Sequence, residues 1–196
     1  MLDVPNLVTY LTVMSVTPGP NNVMVTASGA TFGYRATVPH ILGIGAGVAA
    51  QTVLVCLGLG NLFERMPGLH TAMAWAGALY LLYMAWRLVG AGAVDAKSAA
   101  RPLRWWEAAG FQAVNPKAWV MAMTTAAVFF PSQGPVVGAA FEVGGLFVLV
   151  SFPCVTLGAL CGNALRRFLD RPVYRRAFNI SMSVLLVGTA VMGLRG

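Results

Sequence analysis

Charged side chains are scarce in this sequence. Asp, Glu, Lys and Arg make up only 10% of its 196 residues, whereas a soluble globular domain carries about 25%. Hydrophobic residues make up 58%, more than a water-soluble fold of this size can hide. The ten-residue alternation that marks transmembrane β-strands is also absent. These features exclude a soluble fold and predict an all-α integral membrane protein.

The sequence also lacks the motifs of several functional classes. Its three cysteines, Cys56, Cys154 and Cys161, lie apart in apolar runs and form no Cys-x-x-Cys pair. No clustered Asp, Glu, His or Cys suggests a metal site, and no Walker A run suggests a nucleotide site. We therefore expect neither an enzyme nor a cofactor or bound metal. Any transport should draw on an ion gradient.

Six apolar stretches are long enough to cross a bilayer of about 30 Å. They cover residues 4–28, 37–61, 69–90, 108–131, 136–162 and 177–194. Together they predict a single transmembrane domain, 1–196.

The net charge of +7 is concentrated in the loops between these stretches, which favours a topology signal and membrane-lipid contact over nucleic-acid binding. The first, third and fifth loops carry Arg35; Arg87, Lys97, Arg101 and Arg104; and Arg166, Arg167, Arg171, Arg175 and Arg176. The other side carries only Arg65 and Arg195. Because cations accumulate on the cytoplasmic side, both termini are predicted to face outward.

Two of the stretches contain matching helix breakers. "SVTP" (15–18) in the first and "AVNP" (113–116) in the fourth lie 98 positions apart, half the length of the chain. A unit of three spans re-enters from the opposite side, so the match predicts two inverted three-helix repeats, about 1–90 and 108–196, with broken helices 1 and 4. Interrupted helices at matching positions indicate a transporter's substrate site.

A broken helix offers unpaired N–H groups where it restarts and unpaired carbonyls where it stops, with partial charges to match. A zwitterionic amino acid needs both. The predicted substrate-binding residues are Thr17, Pro18, Gly19, Pro20, Asn21, Asn22, Asn115, Pro116 and Lys117, with mid-span Gln51 as a packing or substrate contact. N–H groups around Asn21–Val23 and Lys117–Trp119 would face the carboxylate. Carbonyls near Val16 and Val114, with the Thr17 and Asn115 side chains, would face the ammonium.

Lys117 and Glu142 are ionisable residues inside the fourth and fifth stretches. Lys117 is a candidate carboxylate clamp, or a group whose charge varies through the cycle, or an ammonium bonded to the broken backbone. Glu142 would pair with Lys117, carry a proton, or extend to the outer surface. Both are proton-coupling candidates. Glycines spaced four apart, at 29/33, 43/47 and 158/162, predict closely packed helices.

At these residues the sequence resembles the lysine exporter family (LysE/RhtB) of bacterial inner-membrane amino-acid exporters. The resemblance rests on "TPGPN" (17–21) and "NPK" (115–117), and extends to "GIGAGVAAQ" (43–51), "AGALYLLYMAWRL" (76–88) and "LGALCGNALRRFL" (157–169). It implies export of amino acids or close derivatives, driven by the proton-motive force. It does not identify the amino acid.

The sequence thus predicts a secondary transporter for amino-acid efflux by proton antiport. Its partners would be the amino acid, protons and lipid, and a homo-oligomer stays open. The alternatives are an exporter of a metal ion or other small solute, a membrane thiol–disulfide electron carrier, and a non-transporting scaffold. The absence of clustered metal ligands and of paired cysteines argues against the first two.

Overall fold

The computed structural model describes residues 2–59, 67–90, 101–131 and 135–195, and within these ranges it is helical with no strands. Arg65 and Lys97, which enter the charge comparison, lie outside them. The helices are α1 (Val4–Val16), α2 (Pro20–Phe32), α3 (Tyr34–Leu54), α4 (Pro67–Gly90), α5 (Trp105–Gln112), α6 (Pro116–Thr124), α7 (Val136–Leu165) and α8 (Pro172–Arg195). Short π-helical segments extend α3 over Val55–Leu59 and α6 over Thr125–Phe129.

Four of the helical segments are long and apolar enough to cross a membrane. They are Tyr34–Leu59, Thr71–Gly90, Val136–Leu165 and Pro172–Leu194. Large apolar side chains on them, such as Leu149 and Met192, are more than 70% exposed, as expected where a helix faces lipid. The chain is therefore an all-α, multi-pass membrane protein. The last helix begins at Pro172, five residues before the predicted span, because the helix also includes the basic residues that precede the apolar stretch.

The first apolar stretch is two helices. α1 stops at Val16 because Pro18 favours an extended conformation for the residue before it, and Thr17 has ψ near 133°. Gly19 is extended, and α2 then begins at Pro20, where a proline's missing N–H costs no helical hydrogen bond. α2 continues to Phe32, past the predicted end at 28, and stops at Gly33, whose φ of +86° suits glycine.

The fourth apolar stretch, which the structure extends back to Trp105, is broken in the same manner. α5 ends at Gln112 and α6 begins at Pro116. Between them, Ala113, Val114 and Asn115 donate main-chain hydrogen bonds to the residues three positions earlier, which tightens the end of α5. At the other end of α5, the Glu107 carboxylate accepts from the Arg104 N–H and pairs with Arg101 at 2.6 Å.

Glycines allow the broken helices to approach the long ones. A Cβ at Gly29 would lie 2.2 Å from the Ala159 carbonyl oxygen, and one at Gly162 only 2.1 Å from that of Thr26, so α2 and α7 meet backbone to backbone. Gly43 and Gly47 allow the same approach between α3 and α5. The predicted packing role is confirmed for these four positions.

Each broken pair of helices packs on a long helix from the other half of the chain. α1 and α2 pack on α7, whereas α5 and α6 pack on α3. α3 also packs on α7, and α4 packs on α8. This arrangement brings the two breaks to the same part of the molecule.

Candidate substrate site

A small cavity lies between the two breaks. Its solvent-accessible space is about 40 Å³, enough for a few water molecules, and it is partly open to the outside. It is lined by Met14, Ser15, Gly19, Pro20, Asn21, Asn22, Ile44, Val48, Asn115, Lys117, Ala118, Met121, Phe147, Ser151 and Val155. Residues from both breaks therefore face one space.

The Lys117 ammonium crosses from the second break to the first. Its Nζ donates to the Thr17 main-chain carbonyl oxygen at 2.5 Å. The Lys117 stem also passes close to Gly19, since a Cβ there would lie 2.8 Å from Lys117 Cδ. Among the residues that the structure describes, Lys117 has no carboxylate within ion-pair distance; the one ion pair joins Arg101 and Glu107. Of the three alternatives, this contact matches an ammonium bonded to broken backbone.

A chain of side-chain amides also links the breaks. Asn21, in the first turn of α2, and Gln112, the last residue of α5, exchange hydrogen bonds of 3.0 and 3.1 Å. The same Gln112 Oε1 accepts from Asn115 Nδ2 at 2.9 Å. Both Gln112 and Asn115 are 1% exposed. Buried amides bonded in this way fix the distance between the two breaks.

The amide of Asn22 closes the first break on itself. Its Nδ2 donates to the carbonyl oxygens of Ser15 at 2.8 Å and of Thr17 at 3.0 Å, which are among the carbonyls left over at the end of α1. The first main-chain bond of α2 runs from Val23 N to Gly19 O. The N–H groups of Asn21 and Asn22 precede it and are the ones that the helix start leaves available.

Two acceptors on the cavity wall are buried without a protein partner. They are Asn115 Oδ1 and Ser15 Oγ. An unpaired buried polar atom destabilises a protein by about 1–3 kcal/mol, so such atoms call for a partner. In a cavity of this size, water or a ligand ammonium fits both.

Gln51 is buried beside the cavity rather than on its wall. In the amide orientation that suits its neighbours, it donates to the Gln112 main-chain carbonyl at 3.2 Å and accepts from Trp119 Nε1 at 3.0 Å. Trp119 Nε1 is also 2.7 Å from the Ala113 carbonyl. These contacts tie α3 to the second break, which is the packing role of the two considered for Gln51.

Several other predicted site residues lie off the cavity. Thr17 is exposed, and its hydroxyl donates to Val13 O at 2.6 Å. Pro18 is exposed, and Pro116 packs toward Gly193 of α8. The Val114 carbonyl packs against Gly77 of α4 instead of facing the cavity. Glu142 is exposed on α7 and does not pair with Lys117.

The described residues contain no group of three or more His, Cys, Asp or Glu placed to hold a metal ion. The three cysteines are free, and they lie on α7 and in the segment that follows α3.

Comparison with known proteins decides the family. The LysE type translocator family matches residues 12–195, nearly the whole chain. The chain belongs to the LysE type translocator family. A translocator is a transport protein rather than an enzyme, which confirms the prediction made from the residues.

Curated relatives of this LysE-type protein include proteins named cysteine/O-acetylserine efflux protein. Those of Salmonella paratyphi A and Escherichia coli K12 are 29% and 27% identical to it over 184 residues, and the match covers 93% of each chain. No solved structure is significantly similar.

Three residues on or beside the cavity of this LysE-type protein were not predicted from the sequence. Gln112 bonds both breaks, while Ser15 and Ser151 line the cavity. The available signal was a polar residue inside an apolar span, which also applies to Gln51. For Gln112 the signal was sufficient, since it stands three positions before Asn115.

Proposed function

We propose that this protein exports small amino acids with uncharged side chains, such as cysteine and O-acetylserine, from the cytoplasm across the bacterial inner membrane. The observation that carries the proposal is the meeting of both helix breaks at one cavity. Relatives that match nearly the full chain are named for efflux of those two compounds, which supports the substrate class.

The wall of the cavity supports the same class of substrate. Asn115 Oδ1 and the carbonyls at the end of α1 offer acceptors for an ammonium, and the N–H groups at the start of α2 offer donors for a carboxylate. Among the described residues, Lys117 is the single charged one on the wall. None of those on the wall is acidic and able to hold a basic substrate, whereas Met121, Phe147 and the hydroxyl of Ser151 suit a small, weakly polar side chain.

The transporter would work as six spans arranged in two inverted repeats. In a two-fold arrangement, residues on the axis contact their own equivalents. Two pairs of residues whose members are 98 positions apart in the sequence are in contact. Ser183 Oγ donates to the Ala85 carbonyl at 3.0 Å, and Lys117 packs on Gly19. The packing of α1 and α2 on α7 of the other repeat, and of α5 and α6 on α3, has the same symmetry. α1–α2 and α5–α6 would be the broken first and fourth spans.

Counterflow in proteoliposomes tests the function. Vesicles loaded with unlabelled cysteine or O-acetylserine should accumulate the labelled compound, because a carrier exchanges substrate across the bilayer. Lysine should not replace them. Protein-free vesicles and vesicles with the Asn115→Ala variant are the controls. Absence of counterflow with every amino acid would contradict the proposal, and counterflow with lysine alone would contradict the substrate class.

The proposed orientation places both termini outside and the α7–α8 connection in the cytoplasm. In a variant without the three native cysteines, single cysteines are introduced at Asp3 and Asp170. An impermeant thiol reagent added to whole cells should label the first and spare the second. Labelling of position 170 but not position 3 would reverse the orientation.

A further inference from the structure

The Lys117 ammonium occupies a place that would suit a substrate ammonium. We propose that Lys117 is the resident occupant of the ammonium subsite in the empty transporter, and that the substrate zwitterion displaces it. The substrate ammonium then takes the Thr17 carbonyl, and Lys117 turns to the substrate carboxylate. This inference rests on the proposed function and assigns the subsite within it.

The acceptor is suited to any ammonium rather than to lysine alone. The Thr17 carbonyl stands at the end of α1, where the helix dipole adds partial negative charge. It already binds two donors, Lys117 Nζ and Asn22 Nδ2. Asn115 Oδ1, buried and unpartnered, lines the cavity that Lys117 also lines, and it would accept a second N–H of the substrate ammonium.

The position of Lys117 also explains why a zwitterion is needed. Lys117 has no carboxylate partner in the described part of the chain, so leaving Thr17 would strand its charge. A substrate that brings both an ammonium and a carboxylate replaces the lost bond and supplies an ion pair. An amine without a carboxylate replaces the bond to the Thr17 carbonyl but supplies no ion pair for Lys117. An acid without an ammonium pairs with Lys117 but leaves the Thr17 carbonyl without its cationic donor.

Exchange at this point would loosen the contact between the two breaks. The Lys117–Thr17 bond joins the two breaks. Breaking it releases one of the two direct side-chain connections that the described residues make between the breaks; the other is the Asn21–Gln112 pair. Substrate binding would therefore be linked to separation of the two repeats.

Two variants separate this role from a simple carboxylate clamp. Lys117→Met removes the resident ammonium. Gly19→Ala keeps it but places a methyl group 2.8 Å from Lys117 Cδ, pushing the flexible side chain away from Thr17. Gly19 has an extended φ of −171°, so alanine causes no backbone strain there. Gly138→Ala is the matched control, because nothing lies within 4 Å of a Cβ at that position.

The experiment measures how tightly three thiol probes bind to the purified full-length protein. The probes are cysteine; cysteamine, which lacks the carboxylate; and 3-mercaptopropionate, which lacks the ammonium. A reductant is present throughout. The readout is the affinity of cysteamine itself, which has no carboxylate for a clamp to hold. We expect this affinity to rise by about ten- to hundredfold in Lys117→Met, because cysteamine no longer has to displace an ammonium; this is the range for one charge-assisted hydrogen bond. It should also rise in Gly19→Ala and stay constant in Gly138→Ala.

Binding of 3-mercaptopropionate should weaken in Lys117→Met and persist in Gly19→Ala, which retains the cation. Opposite shifts of cysteamine and 3-mercaptopropionate in Lys117→Met also exclude a simple change in cavity size. A cysteamine affinity unchanged in both variants would overturn the inference, even if Lys117→Met weakens cysteine, since a carboxylate clamp alone predicts that result. If the wild-type protein binds cysteine and the cysteamine affinity does not rise, the inference falls and the proposed function stands. If the wild type binds no amino acid, both fall.

Discussion

Gln112 is the residue on which both breaks depend. Its side-chain oxygen accepts from Asn21 and from Asn115, and its amide nitrogen donates to Asn21. Hydrogen bonds between membrane helices contribute about 0.6 kcal/mol on average and about 1.7 kcal/mol at most. A residue that serves two partners in a buried network should lie at the upper end of this range.

A double-mutant cycle measures this link. The Asn21→Ala and Gln112→Ala variants should each lower the free energy of unfolding in detergent, and the double variant should lower it by less than their sum. We expect a coupling energy of about 1–1.7 kcal/mol. Asn21→Ala combined with Ser181→Ala, which removes an exposed hydroxyl bonded to its own helix at Ala177, should be additive. Additivity for the Asn21–Gln112 pair would contradict the link.

Asn115 and Thr17 occupy equivalent positions in the two breaks but should respond differently to substitution. Asn115→Ala removes the unpartnered acceptor on the cavity wall and the bond to Gln112, so efflux should fall by about tenfold or more. Thr17→Ala removes only a hydroxyl bonded to Val13, because Lys117 binds the Thr17 main-chain carbonyl. Its efflux should stay within about twofold of wild type, with equal membrane levels as the control. Equal loss in both variants would contradict this assignment.

At the scale of helices, close packing of α2 on α7 depends on two glycines that face the partner backbone. Gly162→Ala would place a methyl group 2.1 Å from the Thr26 carbonyl oxygen. The helices must then separate, so we expect a loss of about 1–3 kcal/mol and a lower melting temperature in detergent. Gly188→Ala, with nothing within 4 Å, should match or slightly exceed wild type, since alanine favours a helix. Equal melting of both variants would show that α2 and α7 are not in contact as described.

The breaks were predictable because proline and glycine act locally. "TPGP" and "NP" stop and restart a helix wherever they occur, and the observed helix ends fall at these residues. The partners of each break were not predictable. Whether the Lys117 ammonium would meet Glu142, a substrate or a carbonyl depends on how α1 and α6 pack, and no local pattern encodes that. The same applies to the Thr17 hydroxyl, which bonds its own helix.

At the scale of the whole molecule, polar contacts join the two breaks beside the cavity. The broken and long helices also share an apolar core, with Phe147, Val143 and Leu11 among its fully buried residues. Apolar faces can slide or separate in a bilayer without leaving unpaired polar groups. The polar contacts at the breaks are therefore the natural point of control for alternating access.

Energy coupling is also a property of the whole molecule. We expect a proton gradient to drive export, and of the two ionisable candidates only Lys117 lines the cavity, since Glu142 is exposed on α7. Proteoliposomes preloaded with cysteine, with the membrane voltage clamped, should release it faster when the opposite side is acidic. The ratio of rates with and without the gradient should persist in Glu142→Gln and approach one in Lys117→Gln. This ratio remains informative if a variant is slow. Wild-type release that responds to sodium and ignores pH would rule out proton antiport, and loss of coupling in Glu142→Gln alone would move the proton carrier to the exposed face of α7.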